Sequence, residues 1–343
     1  MERSARSQTS VFSRWFYGDD SLKARVYRSH QRSFDCRVEG SHEIVKATAY
    51  GKFLKGEETI VVGDYVTLEE NKEGEDFLIV DREERKSEIF RILVRESKKK
   101  VTAANCDLLV ILNSVAKPTY KRGITDRFLV RAHQWQVMPI VIYNKMDQHD
   151  PEKVDIDFEA DRLKELGVEC FEISALNEDY QPRYLDKGLA ELKEALKGKT
   201  SIFVGQSGVG KSQTITCLSE GQVELKTNKV GKIGKGSHTT TWSEIVDCGS
   251  FELIDSPGIR SFSIDDIDPA ELIEYFPDLE EIAVKCKFSN CEHMPDSTGC
   301  AFFKDVDEDS REFQLMISRL EAWHVMFYEA CQTPHWAKSY KKS

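Results

Sequence analysis

The run Gly205-Gln206-Ser207-Gly208-Val209-Gly210-Lys211-Ser212 constrains the fold of this chain more than any other feature. It matches G-x-x-x-x-G-K-[ST] in full and follows a short apolar segment at 201–204, so it reads as a strand, a loop and the start of a helix. Glycines let such a loop wrap a phosphate chain with its backbone N–H groups turned inward. The N-terminal end of the next helix adds positive partial charge. Residues Gly205, Gln206, Ser207, Gly208, Val209 and Gly210 would form the cradle, Lys211 would reach β- and γ-phosphate oxygens, and the Ser212 hydroxyl would ligate Mg²⁺. The surrounding sequence supplies the sheet that such a loop needs. Strand patterns at 107–112, 139–143, 170–173, 201–204 and 251–254 alternate with helical patterns at 124–134, 158–166 and 187–196, which predicts a parallel sheet covered by helices.

Two more strand ends carry chemistry. The strand at 251–254 runs into Asp255-Ser-Pro-Gly258, a D-x-x-G in which Asp255 would hold Mg²⁺ through water and the Gly258 N–H would approach the γ-phosphate. Between the two phosphate elements lies Gly236-Ser-His238-Thr239-Thr240-Thr241, where a threonine could complete the Mg²⁺ shell. Spacing does not separate the three threonines, and Thr240 is taken as the ligand. The strand at 139–143 ends in Asn144-Lys145-Met146-Asp147. A carboxylate there accepts both the ring N–H and the exocyclic amine of guanine, a donor pair that adenine lacks. Asn144 can join neighbouring loops, and the stem of Lys145 can lie on the purine face. Ser174-Ala175 ends the next strand, where a backbone N–H can meet the guanine oxygen.

The first hundred residues have a different texture. Short β-like runs at 24–27, 34–38, 46–51, 59–62, 65–68 and 77–80 predict a small barrel. Strand spacing alone does not separate an oligonucleotide-binding (OB) barrel from an SH3-like one, or a nucleic-acid role from none. The net charge of −11 is uneven, with 20 Lys+Arg against 19 Asp+Glu in residues 1–100 and 28 against 40 in the rest, so a local basic surface on the barrel is compatible with an acidic whole. Residues 1–20 show no sustained period and are expected to be a flexible tail. The longest apolar runs are strand-sized, far from the roughly 20 residues of a membrane span.

Beyond residue 269 the pattern is helical, closing with an amphipathic stretch at 310–330, and it is interrupted by Cys286-x₄-Cys291-x-His293-x₆-Cys300. Three thiolates and one imidazole form a closed tetrahedral set, the composition of a structural zinc site rather than a catalytic one. Nine cysteines is an odd number spread over a long chain, which argues against a disulfide framework. The six outside the cluster are expected to be packing residues.

The order of the motifs is unusual. In ordinary GTPases the phosphate loop comes first and the guanine motifs last, whereas here Asn144 and Ser174 precede Gly205. A parallel sheet tolerates this if its usual termini are joined, here near 195–200, and the chain is cut elsewhere. With N-K-x-D, S-A, G-x-S-G-V-G-K-S, H-T-T-T and D-S-P-G in that order, the chain resembles the circularly permuted GTPases of small ribosomal subunit biogenesis, the RsgA (YjeQ) family. The resemblance covers about residues 22–330, including Val62-Gly63-Asp64 and the cysteine loop, whose His-to-Cys gap is one residue longer than the family's usual one.

The resemblance implies a multidomain α/β chain: a tail (1–20), an OB-type barrel (21–97), a permuted P-loop GTPase domain (98–265) and a helical zinc-binding domain (266–343). It implies a GTP hydrolase that uses Mg²⁺, carries one structural Zn²⁺, and binds GTP, GDP and the small ribosomal subunit with its rRNA. The protein is expected to act as a cytoplasmic monomer in late subunit maturation, with hydrolysis stimulated by the subunit. A translation-cycle GTPase on mature ribosomes, or an RNA-binding module with GTP as a structural ligand, would carry the same motifs. The position after D-x-x-G, where many GTPases place a water-orienting glutamine, is Ile259, so intrinsic hydrolysis is expected to be slow. His238 is the candidate for orienting that water, the other reading being that it packs the switch. Lys226, Lys229, Lys232 and Lys235, interleaved with glycines, read either as a phosphate-contacting loop or as a solvated one.

Overall fold

The computed structural model describes residues 21–30, 33–54, 59–71, 74, 76–93, 98–223, 243–255, 264 and 266–332. The chain divides into two compact units, 1–84 and 85–343.

In the first unit, strands β1 (Ser21–His30), β2 (Ser33–Val38), β3 (Ile44–Ala49), β4 (Tyr65–Glu70) and β5 (Phe77–Arg82) close on themselves. β1–β2, β2–β3, β4–β5 and β1–β4 are antiparallel, and β3–β5 is the one parallel pair. The resulting ring, β1-β2-β3-β5-β4, is the OB arrangement. Alternating inward residues fill it: Ala24, Val26, Phe34, Cys36, Ala47, Val66, Leu68 and Ile79. The run at 59–62, expected as a strand, forms none. Ile60, Val61 and Val62 are buried in irregular chain, with a single bridge at Val62. The cause is the corner that follows. The buried Asp64 carboxylate accepts the Val61 N–H at 2.8 Å. The Gly63 N–H donates to Val26 O, and Val26 N–H donates to Asp64 O, both at 2.9 Å. Val-Gly-Asp is thus a structural corner that fastens this segment to β1.

The second unit opens with an antiparallel hairpin, β6 (Glu88–Leu93) and β7 (Lys98–Ala104), that the sequence pattern did not reveal. The Lys98–Lys100 run breaks the apolar alternation, yet Ile89, Phe90, Ala103 and Ala104 are buried. Trp135 Nε1 donates to Phe90 O at 3.0 Å and ties the hairpin to helix α1 (Arg122–Trp135). The hairpin lies within the second compact unit, which begins at Arg85.

The main sheet comprises β8 (Leu108–Ser114), β9 (Met138–Asn144), β10 (Glu169–Glu172), β11 (Thr200–Val204), β12 (Glu244–Asp247) and β13 (Glu252–Asp255). Its order is β10-β9-β8-β11-β13-β12, parallel except for the β12–β13 pair. All seven residues of β8 are buried, as a central strand covered on both faces requires. The chain steps outward from β8 to β10, with helix α2 (Ile156–Lys164) between β9 and β10. It returns along helix α3 (Leu189–Leu196), turns at Gly198 and enters β11 beside β8. The expected joining segment is this turn, pinned by Gly198 N–H to Ser250 O at 2.8 Å. The direction of winding reverses between β8 and β11, and ligands of open α/β sheets bind outside the carboxyl ends of the strands at such a point.

Helices α5 (Pro277–Ala283) and α6 (Arg311–Gln332) build a second core from Phe276, Leu279, Phe302, Leu320, Trp323 and Met326, which also takes in Val130 of α1. A buried ionic network fixes this core to the sheet's helices. Arg162 of α2 and Arg319 of α6 meet Asp126 of α1 at 3.0 and 2.5 Å, and Arg319 also meets Asp278 of α5 at 2.8 Å. Among the described residues no helix is long and apolar enough to cross a membrane. All nine cysteines are free thiols, and Cys331 is exposed, so packing does not account for it as expected.

Candidate functional site

The phosphate loop leaves the end of β11 and enters helix α4 (Lys211–Leu218). Two of its glycines are required by close approach. Gly205 has φ +146° and a Cβ there would lie 2.2 Å from Leu112 O; Gly210 has φ +103° and a Cβ would lie 2.5 Å from Asn144 Nδ2. Val209 is buried and roots the loop in the core, while Ser207 and Gly208 face outward. Lys211 opens the helix and arches back, its Nζ donating to Gly205 O at 2.7 Å and Gln206 O at 3.0 Å. Ser212 is the next residue, half-buried at the same helix end.

The guanine motifs meet this loop through one side chain. Asn144, the buried last residue of β9, donates from Nδ2 to Val209 O at 2.9 Å. Its Oδ1 accepts the Lys145 N–H at 2.8 Å and the Ala175 N–H at 3.0 Å. Lys145 adopts a left-handed backbone (φ +66°), and its Nζ donates to Gly208 O at 2.8 Å and to Lys117 O. Burial lowers the Lys145 ammonium pKa, and nearby Asp147 partly counters this. Asp147 is exposed, and the Ser174 hydroxyl donates to its Oδ1 at 2.6 Å. Asn144, Lys145, Asp147, Ser174 and Ala175 therefore share one neighbourhood with Gly208 and Val209, although the motifs that hold them are far apart in the chain. The arrangement can present a fixed carboxylate to one end of a ligand and backbone N–H groups with an ammonium to the other.

Asp255 ends β13, which runs parallel to β11 with Thr200 opposite Glu252, so Asp255 lies at the same sheet edge as the phosphate loop. His238, Thr240, Gly258, Ile259 and the lysines at 226–235 lie outside the described residues.

Glu172 carries a supporting function that the sequence did not signal, since an isolated glutamate at a strand end has no distinctive pattern. It is buried, and its two oxygens accept the Tyr180 hydroxyl and the N–H groups of Arg183, Tyr184 and Leu185.

The cysteine loop is likewise brought together. One ligand atom from each of Cys286, Cys291, His293 and Cys300 lies within 4.8 Å of the others, with Cys286 Sγ 3.6 Å from His293 Nδ1. Tetrahedral zinc with bonds of about 2.0–2.3 Å sets its ligand atoms roughly 3.4–3.8 Å apart, so a small contraction closes the set. Burial lowers the His293 pKa and so favours the neutral ring that a metal needs; the ring packs against Phe302 and Trp323, at 4.8 and 5.3 Å between centroids. Burial pushes the Cys300 thiol up to about 12, so its deprotonation needs a strong positive partner. The donor set fits zinc.

Comparison with known proteins agrees with this geometry. A family model described as RsgA GTPase matches residues 82–265. The small ribosomal subunit biogenesis GTPase RsgA of Bacteroides fragilis (strain YCH46) is 34% identical over 278 residues, covering 80% of this chain and 84% of that protein. Its namesake in Bacillus pumilus is 31% identical over 272 residues, covering 78% and 85%. The crystal structure of YjeQ from Thermotoga maritima superposes with a TM-score of 0.69 at 27% identity, covering 92% of this chain and all of that one. YloQ, described as a circularly permuted GTPase, shares the fold with a TM-score of 0.67.

Proposed function

The chain belongs to the RsgA GTPase family, and from that premise we propose that it binds GTP across the β8–β11 reversal and assists late maturation of the small ribosomal subunit, which stimulates its hydrolysis. The reading rests above all on Asn144, whose one side chain bonds the phosphate loop at Val209 and the guanine loop at Ala175. Asp147, steadied by Ser174, receives the two guanine donors, and a backbone N–H of the loop that begins at Ser174-Ala175 would meet the guanine oxygen. Lys211 exchanges its carbonyl partners for phosphate oxygens, and the loop's N–H groups with the α4 terminus hold the remainder. Ser212, with Thr240 and Asp255, would hold the Mg²⁺ that neutralises charge on the phosphates. His238 orients the attacking water once the particle orders the switch, consistent with Ile259 at the usual glutamine position. Zinc on Cys286, Cys291, His293 and Cys300 holds the C-terminal segment in shape. The OB barrel and that segment dock on the particle and its rRNA, in the cytoplasm, with the protein acting as a monomer.

The test is phosphate release by the full chain with no subunits, with mature small subunits and with immature ones. The proposal expects low basal turnover, at least tenfold stimulation that is larger with immature particles, and its loss in Lys211→Ala. Stronger stimulation by mature particles would assign the protein to the translation cycle. No release above background at saturating subunits would leave GTP as a structural ligand.

A further inference from the structure

Resting on the guanine-pocket reading above, we propose that Glu172 is a positioning residue for base recognition, acting through the loop that follows Ser174-Ala175. Glu172 ends β10, pairs with Tyr143 of β9 and is completely buried. The backbone just beyond it is committed to the base site. Ile173 N–H donates to Tyr143 O at 2.9 Å, Met146 N–H to Ile173 O at 3.2 Å, and Ser174 and Ala175 contact Asp147 and Asn144. From Ser174 the chain turns through Asn177, whose N–H donates to Ser174 O at 3.1 Å, and Tyr180, whose N–H donates to Asn177 O at 3.0 Å. It then returns to the Glu172 carboxylate.

The geometry of that return uses the carboxylate as an acceptor at both oxygens. One oxygen accepts the Tyr180 hydroxyl and the Arg183 N–H at 2.9 Å. The other accepts the N–H groups of Tyr184 at 2.9 Å and Leu185 at 2.8 Å. Four donors converge on two oxygens, which uses the full acceptor capacity of the group. No hydrogen-bonding position is left for an amide N–H₂. The loop so gathered places the Tyr184 ring edge-on to His149, with centroids 4.7 Å apart, and His149 follows Asp147 by two residues. Glu172 thereby braces both sides of the base site. It holds the far end of the loop that begins at Ser174-Ala175, and it reaches the Asp147 segment through Tyr184 and His149.

Glu172→Gln has the same volume but turns an N–H₂ toward two donors, so it loosens the loop without opening a cavity. In the full chain, the KM for GTP should rise at least tenfold while kcat at saturating GTP stays within twofold. The preference for GTP over ITP, which lacks the exocyclic amine, should fall at least threefold. A merely structural loss would reduce the active fraction and leave both KM and the GTP/ITP ratio at wild-type values, and that result overturns the proposal. Tyr180→Phe, which removes one of the four donors, should shift KM and the ratio in the same direction by a smaller factor. If Glu172→Gln does not fold and Tyr180→Phe behaves as wild type, the proposal is likewise overturned. Asp147→Asn is the control for the pocket itself. If it keeps full guanine preference, the base-site reading fails, whereas its loss of preference alongside an unaffected Glu172→Gln defeats only the role of Glu172.

Discussion

Replacing Asn144 by alanine removes a side chain that bonds both the phosphate loop and the guanine loop, and its cost can be worked from three hydrogen bonds. The side chain is 2% exposed, and its partners are Val209 O, Lys145 N–H and Ala175 N–H. Each such bond contributes about 1 kcal/mol net, and a buried partner left unpaired costs roughly 1–3 kcal/mol. Ala175 and Val209 are buried, whereas the half-buried Lys145 can recover water, so the total is about 3–4 kcal/mol. For a unit of this size roughly 2–4 °C is lost per kcal/mol, which predicts a melting temperature lower by about 6–16 °C. Ligand linkage gives a second reading on the same protein. GDP at a hundred times its Kd stabilises by about 2.7 kcal/mol, and a hundredfold weaker affinity reduces that to about 0.4 kcal/mol. Thermal unfolding of wild type and Asn144→Ala, each with and without GDP at that fixed concentration, should therefore show a lower melting point and a nearly absent GDP increment. A variant melting within 2 °C of wild type (a limit of about 1 kcal/mol) with the full GDP increment would refute the idea that this side chain couples the two loops.

Two other perturbations probe the rest of the second unit. Asp126→Ala leaves the guanidinium groups of Arg162 and Arg319 buried without their shared carboxylate, and should cost about 3–5 kcal/mol in urea unfolding, whereas Arg311→Ala on the exposed Asp161 pair should cost under about 1 kcal/mol. Chelation or Cys300→Ser should release one zinc per chain and expose the segment around 286–303 to protease. Because bound thiols must be deprotonated, zinc retention should fall as pH drops, measured by metal content after dialysis across pH 5–8.

What the sequence made legible was local chemistry with local geometry. The phosphate loop, the Asn144–Asp147 and Ser174-Ala175 strand ends and the Cys3His loop each depend on residue types at fixed short spacings, and in the structure the members of each lie together. Helices α1 to α3 and five of the six strands of the main sheet followed from periodicity, with ends moved by a residue or two, as for α1, expected at 124–134 and found at Arg122–Trp135; β12 (Glu244–Asp247) was not expected. The failures have a common origin in tertiary context. The residues at 59–62 are apolar enough for a strand, but the hydrogen bonds of Gly63 and Asp64 turn the chain before a ladder forms. The β6–β7 hairpin was hidden by Lys98–Lys100, and its anchor at Trp135 lies far along the chain. Asp126, Arg162 and Arg319 are separated by 36 and 193 residues from one another's partners, so no local pattern announces their network. Glu172 is silent for the same reason: its four donors are set by a loop whose path the sequence does not specify.

The permuted order has a mechanical consequence that these contacts make concrete. In this chain the D-x-x-G strand does not lead back into the sheet; it leaves Asp255 at the phosphate edge and continues into the C-terminal helices. That continuation is seized early. Asp266, 11 residues beyond Asp255, is held by Arg131 of α1 through two bonds of 2.6 and 2.9 Å, and Arg319 of α6 is held by Asp126 of the same helix. Helix α1 joins β8 to β9, the strand that carries Asn144 and the base motif. Asp255 at the phosphate edge and Asp266 on the base-side helix are therefore each anchored, and breaking the buried ion pairs that hold the C-terminal helices to α1 costs several kcal/mol.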